Sequence, residues 1–212
     1  MALTPSNVND VKPWLQYYPE WTAHSLEYGN ATLNQLYDDN LSANAAKIAT
    51  RFFGRTQTFG ELDREVRRAA AGLKAFGVRP GDRVAIMLPN CPQHIVAFYA
   101  VMRLGAIAVE HNPLYTAAEL RHQFEDHGAK VAVVWDKTVE TVRSLPGDVA
   151  VESIISVDIT RSMPLPMRTA LRLPVRRLRQ QRAALTAPAS GATDWKQLLS
   201  HGPLAHDHPR PG

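Results

Sequence analysis

The stretch RVAIMLPNCPQHIVAFYAVMRLGAIAVEHNP, residues 83–113, decides the fold because it places a long apolar segment between two short ones. Residues 83–88 have the length and composition of a strand, and Pro92 stands where proline favours the first turn of a helix. The segment up to Leu104 is apolar almost all round, which predicts a helix packed on more than one side. Residues 106–110 follow as the next strand. Strand, helix and strand in this order predict a parallel βαβ unit.

The alternation continues toward the C-terminus. Thr116 and Glu119 have the spacing of a capping box for a helix that ends near Gly128, and the apolar run 131–135 has the length of a strand. Residues 154–157 could add another strand. We therefore predict an α/β fold in which a mostly parallel sheet is flanked by helices.

Toward the N-terminus, the pattern predicts a helix of about three turns that begins at the capping-box pair Thr32 and Gln35, then a small β-hairpin and a second, amphipathic helix. Residues 48–53 and 56–58 read as the two strands of the hairpin. Thr58 and Glu61 form a second capping-box pair, and Gly77 stands where that helix would end.

Composition divides the chain into four segments. Residues 1–30 form an aromatic-rich N-terminal arm, and 31–160 carry the α/β pattern. Residues 161–192 are a basic, Pro/Arg-rich segment with linker character. Residues 193–212 combine a short helix with a polar tail.

The net charge of +4 is concentrated in the third segment, because no Asp or Glu occurs from Ile159 to Thr193 while seven arginines do. A helix there would place apolar residues on one face and arginines on a neighbouring face. The apolar face would hold Met167, Leu171, Pro174, Val175 and Leu178, and the basic face Arg168, Arg172, Arg176 and Arg179. Such a helix could lie on an anionic membrane surface. The alternative is a solvated helix packed on another part of the protein. Nucleic acid is not expected as a partner, because no aromatic residues alternate with the arginines to stack on bases.

The single cysteine, Cys91, excludes an internal disulfide and fits a reducing compartment, so we interpret the protein as cytoplasmic, with peripheral membrane contact as a hypothesis. No secretory signal pattern opens the chain, and no apolar run is long enough to span a bilayer. Cys91 lacks a His or Lys in its own loop and reads as a buried or capping thiol. His122 and His127 are five apart, not the paired-ligand spacing of a metal site, so we predict no metal site and expect both at the surface.

Several blocks together resemble adenylate-forming enzymes. TFGEL at 58–62 and GVRPGDRVA at 77–85 resemble the helix and the Gly-Asp turn of that superfamily. Further blocks match its acyl-CoA ligase branch: LPNCPQ at 88–93, AFYA at 97–100, LGA at 104–106 and NPLYT at 112–116. The ordered series covers roughly residues 30 to 160. The chain thus resembles the N-terminal part of a long-chain fatty acyl-CoA ligase.

The resemblance implies an incomplete N-terminal domain of the adenylate-forming fold. It also implies a parent enzyme that activates a fatty acid with ATP and Mg²⁺ to an acyl-adenylate and then transfers the acyl group to CoA. Such chemistry needs a phosphate loop, and no Ser-Gly-Thr-Thr-Gly-type run occurs here; Trp195 to Leu199 resembles the segment that precedes that loop. We therefore expect no catalytic residue in this chain, no tight binding of ATP, Mg²⁺ or CoA, and no activity of the chain alone.

The resemblance also suggests that His111, Asn112 and Tyr115 lie in the wall on the substrate or CoA side. Glu110 and His111 depart from the family pattern, and we expect His111 to be a partly exposed loop residue. A different class of function stays open: a free-standing membrane-associated or protein-binding module derived from such a ligase. A Rossmann-type nucleotide binder is disfavoured, because no G-x-G-x-x-G follows any predicted strand.

Overall fold

The computed structural model describes residues 12–26, 29–149 and 151–205. The chain forms two compact units, Met1–Thr32 and Leu33–Gly212. In the first unit, a 3-10 helix over Pro13–Tyr17 contains no buried residue. Of the predicted arm, residues 1–11, 27 and Tyr28 lie outside the described residues, as does the polar end of the predicted tail, 206–212.

The second unit opens with helix α1 (Leu33–Asn44), the antiparallel hairpin β1 (Ile48–Phe52) and β2 (Arg55–Thr58), and helix α2 (Phe59–Ala75). The capping box predicted for α2 is confirmed: the Thr58 hydroxyl accepts a hydrogen bond from the Glu61 N–H at 3.2 Å, and the Glu61 carboxylate accepts one from the Thr58 N–H at 2.9 Å. Gly77 follows the helix with φ +89°, a left-handed conformation that glycine adopts without steric cost.

Five parallel strands form the sheet. They are β3 (Arg83–Met87), β4 (Ile107–Glu110), β5 (Val131–Trp135), β6 (Ser153–Val157) and β7 (Thr193–Asp194). Their order across the sheet is β4-β3-β5-β6-β7. The predicted α/β class with a parallel sheet and a small hairpin is confirmed. Strand β7 falls in residues that the sequence pattern assigned to a linker and a helix.

Five further helices lie between these strands: α3 (Pro92–Arg103), α4 (Ala117–His127), α5 (Val139–Arg143), α6 (Leu165–Ala170) and α7 (Arg176–Leu185); α8 (Trp195–Leu198) follows β7. The capping box of Thr116 and Glu119 at the start of α4 is confirmed, and Gly128 ends that helix with φ +59°.

The core consists of two apolar clusters, one on each face of the sheet. Alternate residues of β3 point to opposite clusters: Val84 and Ile86 pack with α2, α3 and α8, whereas Ala85 and Met87 pack with α4 and α5. All four are fully buried. A parallel strand covered on both faces explains the continuous apolar run in the sequence.

Helix α3 is packed on several sides, as predicted, and one of its contacts is ionic. The Arg103 guanidinium donates to the Asp63 carboxylate of α2 at 2.9 Å, and both side chains are nearly inaccessible. Arg67 donates to the other oxygen of Asp63 at 3.0 Å. Removing either partner of a buried pair is costly because it leaves an uncompensated charge. The pair therefore fixes α3 against α2.

Helix α8 approaches α2 closely at Gly72. A Cβ atom at this glycine would lie 2.7 Å from Leu198 Cδ1 and would also overlap the Leu198 carbonyl oxygen. Leu198 is fully buried, so neither it nor its backbone can move away.

We predict that Gly72→Ala lowers the free energy of unfolding by about 1–2 kcal/mol, because an overpacking cost of about 2–3 kcal/mol outweighs the roughly 1 kcal/mol of helix propensity that alanine contributes. Urea denaturation followed by circular dichroism measures the change. Gly147→Ala is the control, since no atom lies within 4 Å of its added Cβ. Equal stability of Gly72→Ala and the parent chain would contradict the close contact.

Candidate functional site

Charged and polar side chains of the second unit collect at the carboxyl edge of the sheet. The loop after β3 leads to α3 on one face, whereas the loops after β4 and β5 lead to α4 and α5 on the other. Such a change of face opens a crevice at the strand ends, where α/β proteins bind ligands. The carboxyl edge is therefore the candidate functional region.

Arg161 links several segments at one part of this edge by hydrogen bonds. It lies in a 3-10 turn after β6, where the Asp158 carboxylate accepts a hydrogen bond from the Thr160 N–H at 2.9 Å. The guanidinium of Arg161 donates two hydrogen bonds to Asp194, at 2.6 and 2.7 Å. Asp194 also accepts from the Lys196 N–H at 2.7 Å. This bidentate pair joins the end of β6 to the end of β7 and the start of α8.

A cavity of about 610 Å³, which we call the strand-end cavity, lies beside this pair. Its charged lining residues are Asp136, Asp158, Asp194, Arg161, Arg172, Arg179 and Arg182. Asp136 is buried; one of its carboxylate oxygens accepts a hydrogen bond from the Thr186 hydroxyl, and the other has no partner. Burial raises the pKa of Asp136 to about 6. This carboxyl therefore changes charge close to neutral pH.

A second cavity, of about 480 Å³, is bounded by the hairpin, the start of α3, α6 and α8. We call it the arginine cleft. Its cationic residues are Arg55, Arg161, Arg168, Arg172 and Lys196, and Glu65 is the one carboxylate among its described lining residues.

The single basic helix predicted across Met167–Leu178 is wrong. Helix α6 ends at Ala170, and α7 begins at Arg176. Pro174 lies in the break, where it supplies no N–H for a helical hydrogen bond and disfavours helical geometry in the residue before it. The arginines are divided as a result: Arg168 and Arg172 line the arginine cleft, Arg172 and Arg179 line the strand-end cavity, and Arg176 is exposed.

The apolar face predicted for that helix is also not formed. Leu171 is buried, and Leu178 is half-buried. Of the predicted apolar face, Met167 and Val175 do reach the surface, where Leu165 and Leu173 are also exposed.

His111 is buried, which corrects the expectation of a partly exposed loop histidine. It follows β4, and its ring stacks on Phe124 of α4 with centroids 4.8 Å apart. Its Nε2 lies 3.1 Å from Nε2 of His127. His127, expected at the surface, is half-buried, whereas His122 is exposed as expected.

The hydrogen bonds of these two histidines form one directed chain. The Ala129 N–H donates to Nδ1 of His127, so the other ring nitrogen of His127 carries the proton that points at His111. Nδ1 of His111 can then donate to Gln123 Oε1, 2.7 Å away. Both rings are neutral in this arrangement. Burial lowers the pKa of His111. The pKa of His127 is lowered to about 4 by burial and by the neighbouring His111.

Asn112 and Tyr115 lie in the turn between β4 and α4. The side-chain oxygen of Asn112 accepts a hydrogen bond from the Leu114 N–H at 3.0 Å, and Tyr115 packs partly against the core. Asn112 is exposed, and Leu114 is 79% exposed. The structure thus separates a surface turn from the buried His111.

Cys91 precedes α3 and is buried, and burial raises the pKa of its thiol to about 11. It is therefore protonated and a poor nucleophile at neutral pH. Nearby, His94 Nε2 lies 2.9 Å from the Glu110 carboxylate, and this hydrogen bond raises the pKa of His94.

Sequence reasoning missed Gln93, Asp136 and Lys196 as site residues. Each becomes part of a cavity only through contacts with distant segments, and no local spacing marks it. Asp136, which directly follows β5, could have been found from its place at the end of a predicted strand.

The described residues do not fit ATP or Mg²⁺ by themselves. No three His, Cys, Asp or Glu side chains converge on a possible metal site in the described part of the chain. No Ser-Gly-Thr-Thr-Gly-type run is present to cradle a triphosphate. Among the described helices, none has the length and apolar character needed to cross a bilayer.

The fold defines a doubly covered parallel α/β domain of the kind found in adenylate-forming enzymes. The family model for AMP-binding enzymes matches residues 37–192. The chain therefore belongs to the AMP-binding enzyme family.

Relatives within this family include long-chain fatty acid ligases. The chain is 35% identical over 155 residues to the long-chain-fatty-acid–CoA ligase of Bacillus subtilis, covering 73% of this chain and 28% of that protein. It is 40% identical over 105 residues to 4-coumarate–CoA ligase 3 of rice (Oryza sativa subsp. japonica), covering 50% and 19%. The chain thus spans less than a third of the length of these relatives.

Solved structures agree with this assignment. MbtA of Mycobacterium smegmatis superposes with a TM-score of 0.66 at 26% identity, covering 86% of this chain and 30% of that one. A long-chain-fatty-acid-CoA ligase of Archaeoglobus fulgidus gives a TM-score of 0.57 at 25% identity, covering 66% and 31%.

We predict that His127→Gln reduces the loss of stability on acidification. Because folding lowers the pKa of His127, its contribution is full above the unfolded value near 6.5 and falls as pH drops toward 4. The stability difference between the parent chain and His127→Gln should therefore shrink between pH 7.5 and 4.5, as measured by urea denaturation. His122→Gln, on the exposed face of the same helix, is the control. A difference that does not change with pH would contradict the neutral pair.

Proposed function

We propose that this chain is the N-terminal, sheet-bearing part of an AMP-forming long-chain fatty acyl-CoA ligase. That enzyme activates a fatty acid with ATP to an acyl-adenylate and transfers the acyl group to the thiol of CoA. The observation that supports this most strongly is the 35% identity to the Bacillus subtilis ligase over 155 residues. The parallel sheet and its TM-score of 0.57 with the Archaeoglobus fulgidus ligase are consistent with it.

Within this proposal, the chain supplies scaffold and wall rather than reacting groups. The exposed turn with Asn112 and Tyr115 would contribute to the wall on the substrate or CoA side, and the buried His111 would support it from below. ATP, Mg²⁺ and CoA would be held by segments of the ligase outside this chain, because the chain lacks a phosphate loop.

The proposal predicts that this 212-residue chain catalyses no fatty-acid-dependent exchange between ATP and pyrophosphate. A version extended through the native reading frame should catalyse it. Comparing palmitate with 4-coumarate in the extended protein tests the substrate class, since relatives of both kinds occur. Exchange with palmitate alone would support a long-chain ligase.

Two results would contradict the proposal. Exchange by the short chain would mean that it contains a phosphate site that its sequence does not reveal. Exchange by neither protein would favour the alternative of a free-standing binding module.

A second proposal concerns the surface at the break between α6 and α7. Leu173 and Val175 are 52% and 50% exposed, and Arg172, Arg176 and Arg177 lie beside them in a segment without acidic residues. Apolar side chains flanked by arginines suit the interface of an anionic membrane, where each basic residue contributes about 1 kcal/mol. We propose that this surface holds the protein peripherally on such a membrane.

We predict that Arg176→Gln/Arg177→Gln weakens binding to vesicles containing anionic phosphatidylglycerol roughly thirtyfold, the equivalent of about 2 kcal/mol. Co-sedimentation at low salt measures the affinity. The control, Arg64→Gln/Arg68→Gln, removes the same charge from exposed positions of α2. Equal losses in both variants would show that net charge, and not this surface, governs binding.

A further inference from the structure

The walls of the arginine cleft are held together by hydrogen bonds. The Arg55 guanidinium in β2 donates to the Arg161 carbonyl oxygen at 3.1 Å, which ties the hairpin to the turn after β6. Trp195, which is buried, and Leu199 line the cleft from the side of α8. The cleft is therefore built from segments far apart in the chain and does not depend on one loose loop.

The cleft carries an excess of positive charge. The charge of Arg161 is balanced by Asp194, with which it makes two hydrogen bonds of 2.6 and 2.7 Å. In the described part of the chain, no carboxylate lies within ion-pair distance of the side chains of Arg168, Arg172 or Lys196. Burial raises the pKa of Glu65, which makes the lining carboxylate easier to neutralise. Three cations therefore line the cleft with no carboxylate at ion-pair distance.

Gln93 adds a buried acceptor to this cationic site. Its side chain is 3% exposed, and its Nε2 donates to the Asp158 carbonyl oxygen at 3.3 Å. Its Oε1, by contrast, has no hydrogen-bond partner. A buried acceptor without a partner is unfavourable, and a shift of this side chain that brings Oε1 into the cleft would let a ligand hydroxyl satisfy it.

We propose that the arginine cleft binds a phosphate monoester or hydrogen phosphate. The anionic oxygens would face Arg168, Arg172 and Lys196, and a P–OH or neighbouring hydroxyl group would donate to Gln93. Guanidinium groups match phosphate geometry and suit such a role. This site is separate from the proposed ligase chemistry and does not require it.

The test is isothermal titration of the 212-residue chain with inorganic phosphate and with glycerol 3-phosphate. Saturable binding is expected, and Arg168→Gln/Arg172→Gln should weaken it at least tenfold. Arg176→Gln/Arg177→Gln removes two charges from the same acid-free segment outside the cleft lining and should bind as the parent chain does. Lys196→Gln alters one exposed side chain and should weaken binding severalfold even if the double variant fails to fold.

A vesicle experiment distinguishes a lipid headgroup from a soluble phosphate as the source of the ligand. Phosphatidic acid carries a phosphate monoester, whereas phosphatidylglycerol carries a diester. Preference for phosphatidic acid at equal vesicle charge, lost in Lys196→Gln, would support a lipid headgroup as the source. Absence of both soluble binding and this preference would overturn the proposal, as would equal weakening of the soluble phosphate titration in Arg176→Gln/Arg177→Gln. Because no ATP is present, failure here is distinguishable from failure of the exchange assay.

Discussion

Strand β3 is buried on both faces and paired along both edges, and this constraint places the other elements of the second unit. Its neighbours β4 and β5 satisfy its backbone hydrogen bonds, so no edge is left open. Its alternating side chains require apolar cover on two sides at once. Helices α2 and α3 supply one cover, and α4 and α5 supply the other. The crevice at the carboxyl edge is a direct consequence of that division.

Much of this arrangement could be predicted because its signals are local. The capping boxes at Thr58 and Thr116 depend on residues three positions apart, and the apolar runs of β3 and β5 reflect burial on both faces. Because strands and helices alternate with short connections, the sequence also predicts that the strands run parallel. These local signals predict the fold of residues 48–157.

The features that could not be predicted depend on contacts between residues that are far apart in the sequence. Strand β7 has two residues and exists because it pairs with β6, so its own composition carries little information. The burial of His111 arises from Phe124 and His127 on α4, which the spacing of residues in β4 does not reveal. In the basic segment, apolar and cationic spacing suggested one helix, but the local effect of Pro174 was stronger than that periodicity.

The fully buried Leu198 packs against Gly72, so the last described helix completes a core cluster that includes α2 and begins at Tyr37 of α1. During synthesis, the N-terminal elements leave the ribosome long before this residue does. Until Leu198 has emerged, one side of α2 lacks its apolar cover, and the nascent chain exposes apolar surface around Gly72. The core of the second unit is therefore complete only after α8 has emerged and docked.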